Sequence, residues 1–129
     1  MKRNVEIRTG AYEEPYRTMA IWNDGEDILS ITWKQRHEGE NSDTRYEMKM
    51  DKKTGICALR RTGAIKSTML FDTARETTGI FDTPYGRMEM RIRTEFINLP
   101  SVLSPRFEIS YELPDNSGMN RNRFAVCIV

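Results

Sequence analysis

The sequence predicts an all-β protein: one antiparallel up-and-down β-barrel of about eight to ten short strands, spanning residues 1–129. Three observations carry that expectation. Apolar and polar residues alternate with period two over several stretches, as in strands with one dry and one wet face. The connections between them are of hairpin length, which suits a closed meander better than a Greek-key sandwich with its long crossovers. The apolar share is only 38%, with 30% charged residues and a mean hydropathy of −0.65. A thin core of that kind fits a single curved sheet better than a sheet covered on both faces.

The clearest strand runs from Arg87 to Ile97. Met88, Met90, Ile92, Thr94 and Phe96 share one parity, and Arg87, Glu89, Arg91, Arg93 and Glu95 the other. A helix would scatter those charges around its circumference. Thr83-Pro84-Tyr85-Gly86 supplies the preceding turn, because proline presets φ and glycine accepts positive φ. Phe81 then ends the neighbouring strand. In chain order, Asn4 to Thr9 forms a first strand and Gly10 to Pro15 a polar connection. Arg17 to Trp22 and Asp27 to Gln35 form a hairpin across Asn23-Asp24-Gly25-Glu26, where Asp-Gly suits a tight turn. His37 to Asp43 reads as a polar loop with His37 exposed. Arg45 to Asp51 alternates again, and Lys52-Lys53-Thr54-Gly55 turns the chain. Ile56 to Phe71 reads as one strand bent at a corner by Gly63. Between Asn98 and Pro105 a short helical turn is expected, with Leu99, Val102 and Leu103 plugging a barrel end. Arg106 to Leu113 and Phe124 to Val129 close the set, separated by a turn-rich loop from Pro114 to Asn120.

The net charge of +1 argues neither for nor against nucleic acid. Acids concentrate between Glu13 and Asp43 and bases between Asp51 and Leu70, but Glu89 and Glu95 interrupt any phosphate track on the most basic strand, so nucleic acid is not an expected partner. No secretory pattern and no long apolar run are present, so a soluble, cytoplasmic protein with no membrane partner is the expectation. Cys57 and Cys127 are there expected as reduced thiols. One histidine and no C-x-x-C leave no metal set. No G-x-S-x-G, P-loop, H-E-x-x-H or dinucleotide fingerprint occurs, so no cofactor is expected and a binding role is favoured over an enzyme.

Arg61-Thr-Gly63-Ala, Met69-Leu-Phe71, Phe81-x-Thr-Pro-Tyr-Gly86, Thr94 and Ile109-x-Tyr111-Glu together resemble the bacterial YwiB-like family of unknown function. Members of that family look like lipocalin-type (calycin) barrels, so the resemblance implies that fold and a suspicion of ligand binding, and no known activity. Where some members carry Tyr-Glu-Glu near the end of the third strand, this chain reads Trp33-Lys34-Gln35. A carboxylate that could pair the central arginine is therefore missing from that strand.

Arg61 is the sharpest candidate. Alternation places it on the face of Cys57 and Leu59; if that face points inward, a guanidinium lies in or at the mouth of the barrel and needs a partner. With the hydroxyls of Thr94 and Tyr111 it could hold a carboxylate; the bland alternative is that Arg61 reaches the rim or pairs internally. Met48, Met50, Met69, Met88 and Met90 fall on the predicted inner face, as ligand lining or as plain core filling. Tyr85 is a rim candidate or simply a turn residue. The ligand-binding set is thus Arg61, Thr94, Tyr111, Tyr85, Met69, Met88 and Met90, with a small apolar or amphipathic acid as ligand. The alternative is a structural or interaction module with a plugged interior, pairing with a second copy of itself as a homodimer or with another protein.

Overall fold

A computed structural model of the chain describes residues 1–10, 14–114 and 121–129. Ten strands run in order: β1 (Lys2–Thr9), β2 (Tyr16–Asp24), β3 (Ile28–Gln35), β4 (Thr44–Asp51), β5 (Cys57–Thr62), β6 (Lys66–Phe71), β7 (Thr77–Thr83), β8 (Gly86–Asn98), β9 (Arg106–Glu112) and β10 (Arg121–Ile128). Each pairs antiparallel with its sequence neighbours, and β1 pairs with β10 to close the barrel. The up-and-down barrel expected from the alternation is therefore the observed fold. No residue among those described is helical, and none forms a helix able to cross a membrane.

The parities settle as the alternation requires except at the end of β8, where a bulge between Thr94 and Phe96 shifts the register, so that Ile97 and not the expected Phe96 packs against the core. Val5, Ile7, Ala20, Trp22, Leu29, Ile31, Trp33, Met48, Met50, Cys57, Met69, Phe71, Ile92, Phe107, Ile109, Phe124 and Val126 form one continuous interior. The outer face is laced with cross-strand ion pairs, among them Arg17–Glu6, Arg121–Glu95 and Arg93–Glu112. Exposed pairs of this sort contribute little stability each. The tight turns fall where the sequence places them, although Gly25 turns the chain without a positive φ. Gly25 donates to the Ile28 carbonyl at 2.9 Å, and the Asp51 carboxylate accepts from the backbone of Lys53 and Thr54 at 2.9 and 3.2 Å. Gly86 adopts φ 129° at the tip of the β7–β8 hairpin.

Three expectations need correction. Gly63 is no corner in a continuous strand. It lies in the connection between β5 and β6, which pair antiparallel from Cys57↔Phe71 to Arg61↔Ser67. Glycine is required there because a β-carbon would sit 2.7 Å from Thr44 Oγ1 and 3.3 Å from its α-carbon. The segment from Leu99 to Pro105 forms no helical turn and plugs nothing: Val102 and Leu103 are 100% and 97% exposed. Prolines at both ends and the reciprocal bonds between Ser101 and Ser104 hold it as an outward loop instead. Met88 shares the inner parity but is half-exposed. The reason is register: β9 meets β8 only from Arg93 onward, so Gly86 to Ile92 run past the end of β9. The expected connections at Gly10 to Pro15 and Pro114 to Asn120 lie partly outside the described residues, at 11–13 and 115–120.

The wall is not uniformly knitted. The β2–β3 ladder spans only Ile21↔Thr32 to Asp24↔Leu29. Beyond it side-chain hydroxyls stitch the strands, Thr18 Oγ1 donating to the Lys34 carbonyl at 3.4 Å and Tyr16 Oη accepting from Arg36 N at 3.3 Å.

Candidate functional site

Eight strands suffice to give a barrel whose interior side chains just fill it; ten make a wider one. The surplus space lies at the end carrying the β1–β2, β3–β4 and β5–β6 connections, as a cavity of about 230 Å³. Its apolar wall includes Trp33, Leu59, Phe71 and Phe124, and its polar groups include Gln35, His37, Arg61, Tyr111, Asn122 and Arg123. Trp33 stacks on Tyr46 (centroids 5.2 Å, 8° between planes) and on Phe124 (5.8 Å, 18°), while Phe71 meets Tyr111 at 5.1 Å and 59°.

Arg61 reaches this cavity from β5 because its parity matches Cys57 and Leu59, and its register sets it between Tyr46 and Ser67. Its side chain is 23% exposed, and the guanidinium lies 3.7 Å from Glu40, itself 21% exposed. That distance is an ion pair but too long for a hydrogen bond. The guanidinium also sits over the Tyr46 ring at 5.8 Å, a cation–π placement. Its Nε is buried with no hydrogen-bond partner, and so is Thr9 Oγ1 in the same cavity wall. Leaving such a donor unmet costs about 1–3 kcal/mol.

The flanking groups are ordered around this charge. Glu40 also accepts from Thr44 Oγ1 at 3.1 Å, and the close approach of Gly63 packs the β5–β6 turn against that same threonine. His37 is not the free loop residue its sequence context suggests: its Nε2 lies 2.6 Å from Tyr46 Oη. Burial, and then the Arg61 charge, push the His37 pKa down, with Glu40 opposing. Burial pushes the Tyr111 phenol up, so its hydroxyl stays protonated and can donate. Trp33 Nε1 donates to Gln35 Oε1 at 3.4 Å.

Of the residues singled out from the sequence, the structure brings Arg61 and Tyr111 together at one cavity. Thr94 pairs with Tyr111 across β8 and β9 but does not line the cavity; it is buried, and its hydroxyl accepts from the Asp72 amide at 3.2 Å. Met69 is core. Met88, Met90 and Tyr85 lie outside the cavity, with Tyr85 100% exposed at its hairpin tip. Glu40, His37 and Tyr46 were not among those candidates. Tyr46 was within reach, since counting back from the Lys52–Gly55 turn sets it opposite Arg61. Glu40 sits in a loop, where no periodicity marks it. Among the described residues no three His, Cys, Asp or Glu side chains cluster to hold a metal.

Fold and site together define a closed up-and-down barrel with an aromatic, arginine-bearing cavity at one mouth. The chain belongs to the family described as a domain of unknown function, DUF1934, whose sequence profile matches residues 21–123. It is similar in fold to the ywiB protein of Bacillus subtilis, known from a crystal structure. The two share a TM-score of 0.71 and 17% identity over 98% of this chain and 89% of that one. No curated protein matches it.

Proposed function

We propose that this barrel binds a small apolar or amphipathic acid in its mouth, with Arg61 holding the anionic head. The observation that carries this reading is Arg61 in the wall of an otherwise largely apolar cavity, its charge met by Glu40 only at 3.7 Å and its Nε without a hydrogen-bond partner. A guanidinium presents a planar fork suited to a carboxylate, and here Glu40 meets it only at 3.7 Å. Tyr111 supplies a neutral donor, and Trp33, Leu59, Phe71 and Phe124 give the apolar tail a dry wall. This division, mostly apolar with a few convergent polar groups, is what small-molecule sites share.

The test is a comparison of protein purified from bacteria under native conditions with the Arg61→Met variant, each denatured and its released small molecules identified by mass spectrometry. A carboxylic acid present in the first and absent from the second is expected. The reading fails if nothing is retained and no carboxylic acid raises the melting temperature.

A second reading, self-association or docking of a protein partner, draws on Met19 and Ile21, which are half-exposed on the outer face of β2 beside the short β2–β3 ladder. Sedimentation equilibrium tests it: a monomer at every concentration would count against a homodimer.

A further inference from the structure

Resting on that reading, we propose that the acid is a single-ring aromatic monocarboxylate, an aryl ring joined to its carboxylate through one or two carbons, rather than a fatty acid. The cavity's size and its walls both point this way. A dry protein cavity of about 150 Å³ accepts benzene. The space here is about 230 Å³, which leaves roughly 80 Å³ beyond a ring, the liquid volume of two or three waters. That holds a carboxyl group and a short linker. The tail of a long-chain acid, at about one such volume per carbon, would have to leave this space through the barrel mouth, towards the neighbouring space that shares Ile7, Thr9, Gln35 and His37 with it.

The walls are ring-rich. Trp33, Tyr46, Phe71, Tyr111 and Phe124 all border the one cavity as Arg61 does. Aromatic partners prefer offset-stacked or edge-to-face neighbours, and such contacts add to what area alone provides. Both geometries are already present, in the near-parallel Trp33 stacks and the tilted Phe71–Tyr111 pair. A flat guest extends this pattern, whereas a flexible chain also pays to order its torsions. The head group is a single carboxylate because, of the two arginines in the lining, Arg123 lays its guanidinium over the Phe96 ring at 5.8 Å, and Arg61 has Glu40 beside it. A dianion such as a phosphate monoester would bring its second charge against that carboxylate.

Calorimetric titration with phenylacetate, 3-phenylpropionate, hexanoate, decanoate and benzyl alcohol tests the assignment. Phenylacetate or 3-phenylpropionate is expected to bind about two- to tenfold tighter than hexanoate, the factor that aromatic contacts supply. Its affinity should fall by more than about thirtyfold in Arg61→Met, as when one side of a desolvated charge pair is removed. It should fall several-fold in Tyr111→Phe, which keeps the ring and loses only the hydroxyl. Hexanoate or decanoate binding as tightly as the aryl acids, with Arg61 still required, overturns the aromatic assignment and leaves the acid-binding reading standing. Benzyl alcohol matching phenylacetate, with Arg61→Met without effect, overturns the acid-binding reading too. Binding of no probe overturns both.

Discussion

Replacing Arg61 by methionine keeps most of the side-chain bulk and deletes the charge, and three consequences can be worked out from its surroundings. The lost attraction to Glu40 at 3.7 Å is about 1 kcal/mol at the dielectric of water and about 4 at an effective dielectric of 20. With both side chains still about a fifth exposed to water, the lower part of that range applies. Against it stands relief of the buried, unpaired Nε, about 1–3 kcal/mol. The two effects nearly cancel, so the expected urea-unfolding stability lies between about 1 kcal/mol lower and about 2 kcal/mol higher than that of the wild type. His37 offers a second readout. The Arg61 charge is one of the causes holding its pKa down, so the His37 ring should titrate at higher pH in the variant, followed by proton NMR. Affinity for a bound acid should fall by about 2–5 kcal/mol. A stability loss well above about 3 kcal/mol, the cost of stranding one member of a buried pair, would show that Arg61 and Glu40 serve each other. An unmoved His37 titration would show that the guanidinium charge does not reach the ring, and the described cluster would then be wrong.

Three further outcomes are expected. Gly63→Ala drives a β-carbon to 2.7 Å from Thr44 Oγ1 and towards its backbone, so it should lose about 1–3 kcal/mol by overpacking; an unchanged urea midpoint would contradict the close approach. His37 has a folded-state pKa below its unfolded value of 6.5, so the unfolded chain takes up the proton first. Its contribution is complete above about pH 6.5 and is lost as pH falls through the folded value; between pH 7 and 5.5 the wild type should lose stability more steeply than His37→Gln, and parallel slopes would refute the burial of the ring. Cys57 is fully buried with its thiol pushed up to about 12, whereas Cys127 is partly exposed. One thiol should therefore react promptly with a disulfide reagent in the native protein and the second only after unfolding; two fast reactions would contradict the interior placement.

Much of this was legible in the chain because a strand writes its two faces directly into its sequence. Met48 and Met50 in β4, Ile92 and Thr94 in β8, and Phe107 and Ile109 in β9 all point where alternation sends them. So does Arg61, which shares its parity with the buried Cys57. What alternation does not carry is how far a strand extends beyond its neighbour. Met88 has the inner parity and is half-exposed, since exposure there depends on where β9 begins pairing. Nor does it separate a bent strand from a hairpin, because both keep period two on either side of Gly63; the difference lies in pairing between Cys57 and Phe71. The site was less legible than the fold. Its charged partner, Glu40, comes from a loop, and Thr9 and Phe124 come from the two extreme strands, brought to Arg61 only by closure.

That closure also sets a schedule for the chain as it is made. The ladder from Val5↔Ile128 to Thr9↔Phe124 joins the first strand to the last, so no intermediate length can complete the ring. At about 5–20 residues per second of synthesis, β1 waits roughly 6 to 24 s between its own emergence and that of β10. Throughout that interval an edge that is covered in the finished barrel is open to any other strand. The outer face of β1 carries Lys2, Glu6 and Arg8, charges of the kind that discourage such pairing. Contacts of this sequence separation are late and slow to form, and the barrel mouth, where Thr9 of β1 and Phe124 of β10 meet the β5 arginine, is assembled only in that final step.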